Sequence, residues 1–419
     1  MELTASDVWT VVAAALVLFM TPGLALFYSG MTRAKSALNM MMMMSVISMG
    51  LVGVCWVLWG YSMSGGGALI YDIVGSPFND FGLSATLADG GTNLLSVAFS
   101  STFAIIAVAI ISGSIADRAR FGAWCIFVPL WLTLVYCPLA FMVWGGGLFG
   151  EEGFIGSMFG EAIDFAGGLV IHINAGVAGL ILALVLGARK GFGEDPNQRP
   201  HSLPLVMLGA AILWFGWFGF NVGAAADGAQ AGLIWVNTLA APAAAMLGWA
   251  LLERIRDGHV TSLGAASGLV SGLVAITPAC ANVDPVGALA LGFISGIASG
   301  WAVGLKYRLG YDDSLDVVGV HLVSGLIGTL ALGFIATPAT GTAGLFYGGG
   351  LGLLVTQTVA TLISMAYCAV VTLLIVIPIH RTMGFRVSEK QEIQGIDLAQ
   401  HAETAYAMSS GTFGAFAKN

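Results

Sequence analysis

Charged residues are scarce in this sequence, and their scarcity excludes an ordinary soluble domain. Only 9% of the 419 residues are Asp, Glu, Lys or Arg, whereas 57% are hydrophobic. A soluble domain carries charge on about a quarter of its residues. Apolar stretches of about 20 residues, long enough to cross a hydrocarbon core as helices, recur along the chain instead. The composition therefore indicates a membrane protein.

Lys and Arg are absent from every second connection between the apolar stretches. Those connections carry acids, and each gap between basic clusters holds two membrane-spanning segments. Because positively charged loops stay in the cytoplasm, the pattern predicts an N-terminus outside, an odd number of crossings and a C-terminus inside. The basic clusters are Arg33/Lys35, Arg118/Arg120, Arg189/Lys190/Arg199, Arg254/Arg256, Lys306/Arg308, and the tail group Arg381, Arg386, Lys390 and Lys418.

Three further absences argue against a cleaved leader, a metal site and a nucleic-acid partner. The first residues lack a basic n-region and a small-residue cleavage site, so we expect the first span to remain in the mature protein. The five cysteines have no metal-ligand spacing, and we interpret them as small buried hydrophobic residues. The net charge of −8 comes from acids in the outer connections and the tail, and gives no indication of nucleic-acid binding.

The apolar stretches predict an all-α membrane protein with eleven spans, an odd number as the charge pattern requires. We place a transmembrane domain at 1–380 and a cytoplasmic tail at 381–419. Glycines at every fourth position, Gly268/Gly272 and Gly292/Gly296/Gly300, predict helices in close contact. The spans are approximately 8–30, 39–61, 93–115, 122–145, 166–187, 204–224, 232–252, 262–280, 286–305, 316–336 and 349–379.

Two histidines stand out because each falls well inside an apolar span. His172 and His321 both begin the pattern H-x-x-[small]-G-x-x-G, and each follows an acid near the start of its span, Asp164 or Asp316. The histidines are five spans apart, so their helices run in opposite directions. This favours an inverted repeat, with repeat A at about 8–187, repeat B at about 204–336, span eleven outside both, and shared sites at the midplane.

An ionisable residue at membrane depth suggests a function. The alternative is that each histidine hydrogen-bonds a nearby carbonyl and only holds helices together. Neutral imidazole carries one donor and one acceptor nitrogen, so His172 and His321 can bond each other and leave nitrogens facing a narrow lumen. A pair of axial haem ligands is a rival interpretation, which lacks a cysteine haem-attachment motif. No further ligands at depth support a structural metal.

Nine sequence motifs, in order, resemble the ammonium transporter family (the Amt/Mep/Rh group, and within it the bacterial Amt branch) over nearly the whole chain. Each motif is weak alone, whereas nine in the family order are highly specific. They are Phe27-Tyr28-Ser29-Gly30, Ala98-Phe99-Ser100-Ser101-Thr102-Phe103, Val143-Trp144-Gly145-Gly146-Gly147, Asp164-Phe165-Ala166-Gly167-Gly168, His172-Ile173-Asn174-Ala175, Gly216-Trp217-Phe218-Gly219-Phe220-Asn221, Thr277-Pro278-Ala279-Cys280, Gly319-Val320-His321 and Gly384-Phe385-Arg386-Val387.

The resemblance implies an outer site that recruits ammonium by cation–π attraction to Phe99, Phe103 and Trp144. Phe103 and Phe220 are expected to stack below it as a gate. The family usually has Ser where this chain has Ala224, so a hydroxyl that would accept a hydrogen bond from the cation is missing. Losing such a bond costs about 1.5–3 kcal/mol if nothing replaces it. We therefore expect weaker recruitment than in Ser-bearing relatives.

The resemblance also implies that His172 and His321 line the pore. Asp164 resembles the family's buried acid, which shapes the recruitment site without touching the ion. Because a carboxylate that precedes a helix also caps it, we expect Asp164 to have a structural role. Trp217 is expected to support the site, and Thr277 resembles a position that lines the outer vestibule.

The predicted function is ammonium or ammonia transport across the cell membrane, with no enzyme activity and no cofactor. Whether NH3 or net NH4⁺ crosses stays open at this point, as does methylammonium as a second substrate. An ammonium sensor is the alternative, which the lack of a kinase or cyclase domain after span eleven argues against. By resemblance, we expect a homotrimer in lipid, a tail that couples subunits, and a PII-type signalling protein as regulator; a merely solvated tail is the alternative.

Overall fold

The computed structural model describes residues 3–194 and 199–406, so Lys418 and the end of the predicted tail lie outside the described residues. Helices occupy most of this part of the chain, and we number those that match the predicted spans from one to eleven. They are Ala5–Met31, Ala34–Gly65, Leu94–Ile115, Phe121–Trp144, Gly168–Leu186, Leu203–Val222, Gly228–Arg256, Ser262–Ile276, Pro285–Leu309, Val318–Ile335 and Gly352–Thr382.

Within the described residues, ten of these helices are long and apolar enough to cross a membrane. Helix eight is the exception, with 15 residues where the sequence predicted a span over 262–280. It stops early because the chain turns after Ile276, next to Pro278, which has no N–H to continue a helix. Residues 277–280 continue the apolar stretch as a turn.

The connections contain little regular structure. After helix two, Ala68–Ile70 pairs with Val74–Gly75 as a two-stranded antiparallel hairpin. Short helices follow at Phe81–Leu83, Ser84–Ala88, Phe154–Phe159, Pro338–Thr340, Leu345–Tyr347 and, after helix eleven, Glu389–Gln394 and Asp397–His401.

Helices five and ten both begin with a π-helical turn, and each of these turns contains one of the two buried histidines. The turns are Gly168–Ile173, with His172, and Val318–Leu322, with His321. Helices two and four also contain π-helical segments, at Met43–Leu51, Trp56–Gly60 and Leu132–Tyr136, but not at their starts. The likeness of the two helix starts supports the predicted internal repeat.

Reciprocal glycine contacts join helices five and ten. A Cβ added at Gly176 would lie 2.5 Å from the Cβ of Leu322, and one added at Gly325 would lie 3.0 Å from Cγ1 of Ile173. Leu322 follows His321 and Ile173 follows His172, so each glycine packs beside the other helix's histidine. Such reciprocal contacts are expected when two halves are related by a two-fold axis.

The predicted glycine faces of helices eight and nine both pack on helix seven. Cβ atoms added at Gly272 and Gly292 would lie 2.7 Å and 2.0 Å from the carbonyl oxygen of Ala241, and one added at Gly296 would lie 2.1 Å from that of Ala245. Backbone approach this close is possible only for glycine, and it replaces the hydrophobic drive that lipid does not provide.

Arginines from four of the predicted basic clusters meet at one end of the bundle, which we call the tail face. Arg189 donates two hydrogen bonds to Asp312 (2.8 Å and 2.9 Å) and one to Asp117 (3.2 Å). Arg33 lies 3.4 Å from the same Asp117 carboxylate. Buried Arg118 donates to the carbonyl of Asp312 at 2.5 Å. The fourth, Arg386, belongs to the segment after helix eleven.

Electrostatics within this network explain why the buried arginines are tolerated. Burial lowers the pKa of Arg118 to about 10, still far above neutral. Burial also acts on Arg189, but its bonds to Asp312 and Asp117 outweigh burial and raise its pKa. Burial would raise the pKa of Asp312, yet Arg189 and Arg118 together hold it below its usual range. The charges therefore compensate one another, as buried ions must.

Candidate functional site

A cavity of about 350 Å³ opens at the end of the bundle opposite the tail face. Helix three separates the two ends by 22 residues, about 33 Å of helix. All four residues predicted for recruitment line the cavity, namely Phe99, Phe103, Trp144 and Ala224. The lining residues that the sequence did not reveal are Trp56, Tyr61, Ser64, Gly65, Ser96, Ser100, Tyr136, Ala140 and Phe165.

Two stacked rings close the floor of the cavity. Phe103 and Phe220 have centroids 4.3 Å apart and planes 11° apart. Phe220 is fully buried and Phe103 is 6% exposed. Phe99 and Trp144 contact Phe103 edge-on at 4.8 Å and 6.2 Å. The stacked pair thus joins the cavity, which Phe103 lines, to His172, whose ring centroid is 6.2 Å from that of Phe220.

The orientation of Trp144 depends on the start of helix five. Its indole Nε1 donates to the carbonyl oxygen of Asp164 at 2.7 Å, and the residue lines the cavity. The Asp164 carboxylate accepts four backbone N–H bonds at 2.5–3.1 Å, from residues 167–170. These are the N–H groups that a helix start leaves without partners. Asp164 therefore fixes both the start of helix five and the orientation of the Trp144 indole.

Before helix ten, Asp313 occupies the position that Asp164 occupies before helix five. The expectation that Asp316 is the counterpart of Asp164 was therefore wrong. Asp313 lies eight residues before His321, as Asp164 lies eight residues before His172. Its Oδ2 accepts from Val318 N at 2.7 Å. Asp316 instead has a left-handed backbone (φ 64°) and accepts from Lys306 at 2.6 Å.

His172 and His321 contact each other, and the ring of His172 lies next to that of Phe220. Their Nδ1 atoms are 3.2 Å apart, and their ring planes differ by 19°. Both are buried, at 1% and 3% exposure. A hydrogen bond between two Nδ1 atoms requires one donor and one acceptor, so one ring's tautomer sets the other's. Nε2 of His172 has no hydrogen-bond partner among the described residues.

A hydrogen-bonded group behind the histidines holds Trp217 in place. The Trp217 ring stacks on His172 with centroids 5.5 Å apart. Its Nε1 donates to the Thr277 hydroxyl at 2.8 Å, and that hydroxyl donates to the carbonyl of Leu273, also at 2.8 Å. Thr277 is fully buried and is not among the residues that line the cavity. Its position supports Trp217 from behind.

The site does not fit the rival haem and metal interpretations. Two axial ligands of a haem iron lie on opposite sides of it at about 2 Å each, so their nitrogens are about 4 Å apart, whereas these Nδ1 atoms are 3.2 Å apart and in hydrogen-bond contact. Among the described residues, no group of three or more His, Cys, Asp or Glu side chains is placed to hold a metal ion.

Comparison with known proteins identifies the family. The model of the Ammonium Transporter Family matches residues 8–406. The chain belongs to the ammonium transporter family. An ammonium transporter of Mycobacterium tuberculosis is 50% identical over 96% of this chain and 91% of its own length. One from Aquifex aeolicus is 43% identical over 96% of this chain and 93% of its own.

Solved structures of ammonium transporter family members share the fold. Saccharomyces cerevisiae Mep2 superposes with a TM-score of 0.83 at 31% identity, covering 97% of this chain and 92% of that one. A protein described as a sensor Amt protein gives a TM-score of 0.85 at 25% identity, covering 94% and 98%. The described part of the chain has ten long apolar helices, and this ammonium transporter family member is a multi-pass protein of the cell membrane.

The segment after helix eleven of this family member packs on the tail face. Asp397 accepts from the backbone N–H groups of Leu38 (3.1 Å) and Asn39 (2.7 Å), and so caps helix two. Arg386 donates to Glu392 at 2.8 Å. The other Glu392 oxygen accepts from Lys190 N at 2.7 Å. The described part of the tail is therefore bonded to the start of helix two and to the connection after helix five.

Proposed function

We propose that this protein recruits NH4⁺ in the aromatic cavity and conducts NH3 past the histidine pair, acting as a transporter and not as an enzyme. The observation that carries this proposal is the order of the rings. Phe220 stacks on Phe103 at the cavity floor and has its centroid 6.2 Å from that of His172. Successive ring contacts thus link the cavity, the stacked rings and the buried imidazole pair.

The cavity suits a small cation. Aromatic faces attract a cation electrostatically, by about 0.5–1 kcal/mol where exposed and about 2 kcal/mol or more where water is removed. Trp144 is 40% exposed, so its face meets water as well as the cavity, whereas Phe103 lies at the floor. A cation is therefore held more strongly as it moves inward from Trp144 to Phe103.

The gate and the region below it suit a neutral molecule. An ion transferred without ligands into an apolar interior is heavily penalised. Ammonium can lose its proton and continue as NH3, an option that K⁺ of similar size does not have. We infer that deprotonation occurs near Phe103 and Phe220, and that this step gives the selectivity.

His172 and His321 supply hydrogen bonds without a resident charge. Two protonated rings in direct contact would be opposed by both desolvation and repulsion. One neutral pair can exchange a hydrogen bond with a passing NH3, and the unpartnered Nε2 of His172 is the group available for it. The proton either returns outside, giving NH3 conduction, or follows through the imidazoles, giving net NH4⁺ transport. Currents through reconstituted wild type and His172→Asp distinguish the two, since charge that tracks ammonium means that the proton crosses.

Uptake of labelled methylammonium by cells that lack their own carriers tests the proposal. We expect uptake with the wild-type chain and at least a tenfold loss with His172→Ala at equal membrane expression. The sensor alternative predicts no uptake by the wild type. Its support is the similarity to a sensor Amt protein at 25% identity, against transporters at 43% and 50%.

We further propose a homotrimer with one pore per subunit and a tail that couples neighbouring subunits, with a PII-type signalling protein as the regulator. Exposed apolar side chains such as Leu247 (67%), Ile255 (75%) and Val286 (75%) are available to lipid or to other subunits. The hydrogen bonds from helix two to Asp397 link the tail to the transmembrane domain, so a change in the tail can act on helix two.

A further inference from the structure

We propose that Ser100 is the oxygen acceptor for ammonium in the cavity, an assignment that rests on the proposed function. Aromatic faces attract the cation but offer no lone pair to its N–H groups. Ala224 presents only a methyl group to the cavity. An ammonium N–H that loses water on entry without finding another acceptor weakens binding by the full desolvation cost of a charged donor.

Helix three presents one face to the cavity. Ser96, Phe99, Ser100 and Phe103 are spaced three and four residues apart and all line it. Ser100 lies one turn before the gate ring Phe103 and directly after Phe99. Its hydroxyl is therefore carried on the same face as both rings, so a cation held against those rings is also within the reach of Ser100.

The hydroxyl of Ser100 is set up to accept. It donates its single hydrogen to the backbone carbonyl of Ser96 at 2.6 Å, with a weaker contact to that of Val97 at 3.4 Å. A hydroxyl has one hydrogen and two lone pairs, so only acceptor capacity is left toward the cavity. The bond to a carbonyl also polarises the oxygen and strengthens its accepting ability.

Ser64 and Ser96 carry rival hydroxyls within the cavity. Ser96 lies one turn further than Ser100 from the gate ring Phe103. The Ser64 hydroxyl also donates to a backbone carbonyl, that of Gly60 at 2.8 Å. It belongs to the end of helix two and not to the helix that carries Phe99 and Phe103. Ser101 is a matched control on helix three. It donates to the carbonyl of Ala98 at 2.7 Å, as Ser100 does to Ser96, but it does not line the cavity.

Equilibrium binding to the purified full-length protein, followed by tryptophan fluorescence, tests the assignment without depending on transport. With methylammonium as the probe, we expect Ser100→Ala to weaken binding about tenfold. Ser100→Thr keeps the hydroxyl and should bind within about twofold of wild type. Ser101→Ala should be unchanged, and Ala224→Ser should improve binding more in the Ser100→Ala background than in wild type.

Tetramethylammonium separates an acceptor from a merely structural role, because it keeps the cationic charge but has no N–H. Its binding should be the same in wild type and Ser100→Ala, whereas a distorted cavity would lose both probes. Equal methylammonium affinity in wild type and Ser100→Ala, or a loss confined to Ser64→Ala, overturns the assignment while leaving the proposed transport intact. Absence of uptake with retained binding overturns the transport proposal alone.

Discussion

Asp164 and Asp313 occupy the same place in the two histidine helices, yet their surroundings differ. Both are buried (5% and 1% exposed) and both cap a π-helical turn. Asp164 uses both oxygens for four backbone bonds. Asp313 has an oxygen, Oδ1, without a hydrogen-bond partner among the described residues. Both halves therefore place a buried aspartate at the start of the histidine helix, but only the Asp164 carboxylate has both oxygens hydrogen-bonded among the described residues.

Removing the Asp164 carboxylate should destabilise the protein strongly. Asp164→Ala leaves four backbone N–H groups at the start of helix five without acceptors, and we expect a loss of at least about 3 kcal/mol. Asp227→Ala is the matched control, because it removes a single exposed cap bond to Gln230 N (2.8 Å) and should cost about 1 kcal/mol. Thermal unfolding in detergent compares them; equal losses would contradict the role assigned to Asp164.

Asp313 should make stability depend on pH. Burial raises its pKa from 3.8 to about 6, although Lys306 opposes the shift. Because the pKa of Asp313 is higher in the folded state than in the unfolded state, protonated Asp313 contributes fully to the stability of the fold below about pH 4. That contribution is lost as the pH rises through about 6. Asp313→Asn keeps an oxygen acceptor for Val318 N and cannot ionise. Relative to wild type, the variant should gain stability between pH 4 and 7, by on the order of 3 kcal/mol.

The measurement is the difference in unfolding midpoint between wild type and Asp313→Asn across that pH range. Taking the difference cancels the contribution of Asp312, which both proteins contain. The pKa of Asp312 is lowered, so its contribution to stability is lost as the pH falls, whereas that of Asp313 is gained. A difference that stays constant from pH 4 to 7 would show that Asp313 does not titrate there.

Several features could be predicted because they leave a local pattern in the sequence. Apolar length predicted where the long helices lie, and among the described residues ten of the eleven predicted spans are long apolar helices, with helix eight shorter. The spacing of Gly272, Gly292 and Gly296 predicted which faces pack closely. The register of Asp313 was also available, since counting back eight residues from each histidine finds it. Choosing the acid nearest the start of the span led to Asp316 instead.

Other features depend on contacts between distant parts of the chain and leave no local pattern. Trp56 and Tyr136 line the cavity because helices two and four converge on helix three, and either aromatic is equally compatible with an ordinary buried position. Arg118 and Arg189 looked like loop charges that mark topology. Their burial with Asp312 becomes visible only when the tail face is assembled.

Loss of the Asp397 carboxylate should release the tail from helix two. Asp397→Ala removes the acceptor of two backbone N–H groups, Leu38 and Asn39. We expect faster hydrogen exchange in 389–401 and faster proteolysis after helix eleven. Glu389→Ala is the matched control, because it breaks an exposed ion pair with Lys190 that contributes at most about 1 kcal/mol. If both variants exchange alike, Asp397 does not hold the tail; unchanged uptake by Asp397→Ala would favour a merely solvated terminus.

Adding a methyl group between the histidine helices should impair transport. At Gly176 a Cβ would lie 2.5 Å from the Leu322 Cβ and 2.7 Å from its backbone nitrogen, so helix ten must move. Overpacking of this kind costs about 1–3 kcal/mol. Because Leu322 follows His321, the movement also displaces the imidazole pair, and methylammonium uptake per folded molecule should fall in Gly176→Ala.

Gly53 gives the control for that substitution. It lies within a helix, and an added Cβ there would meet nothing within 4 Å. Gly53→Ala should therefore be neutral or stabilising by up to about 1 kcal/mol, since alanine is the better helix former. Uptake should match wild type. If Gly176→Ala transports as well as Gly53→Ala, the contact between helices five and ten does not set the position of the histidines, and the pair must be held chiefly by the stacking of Trp217 on His172.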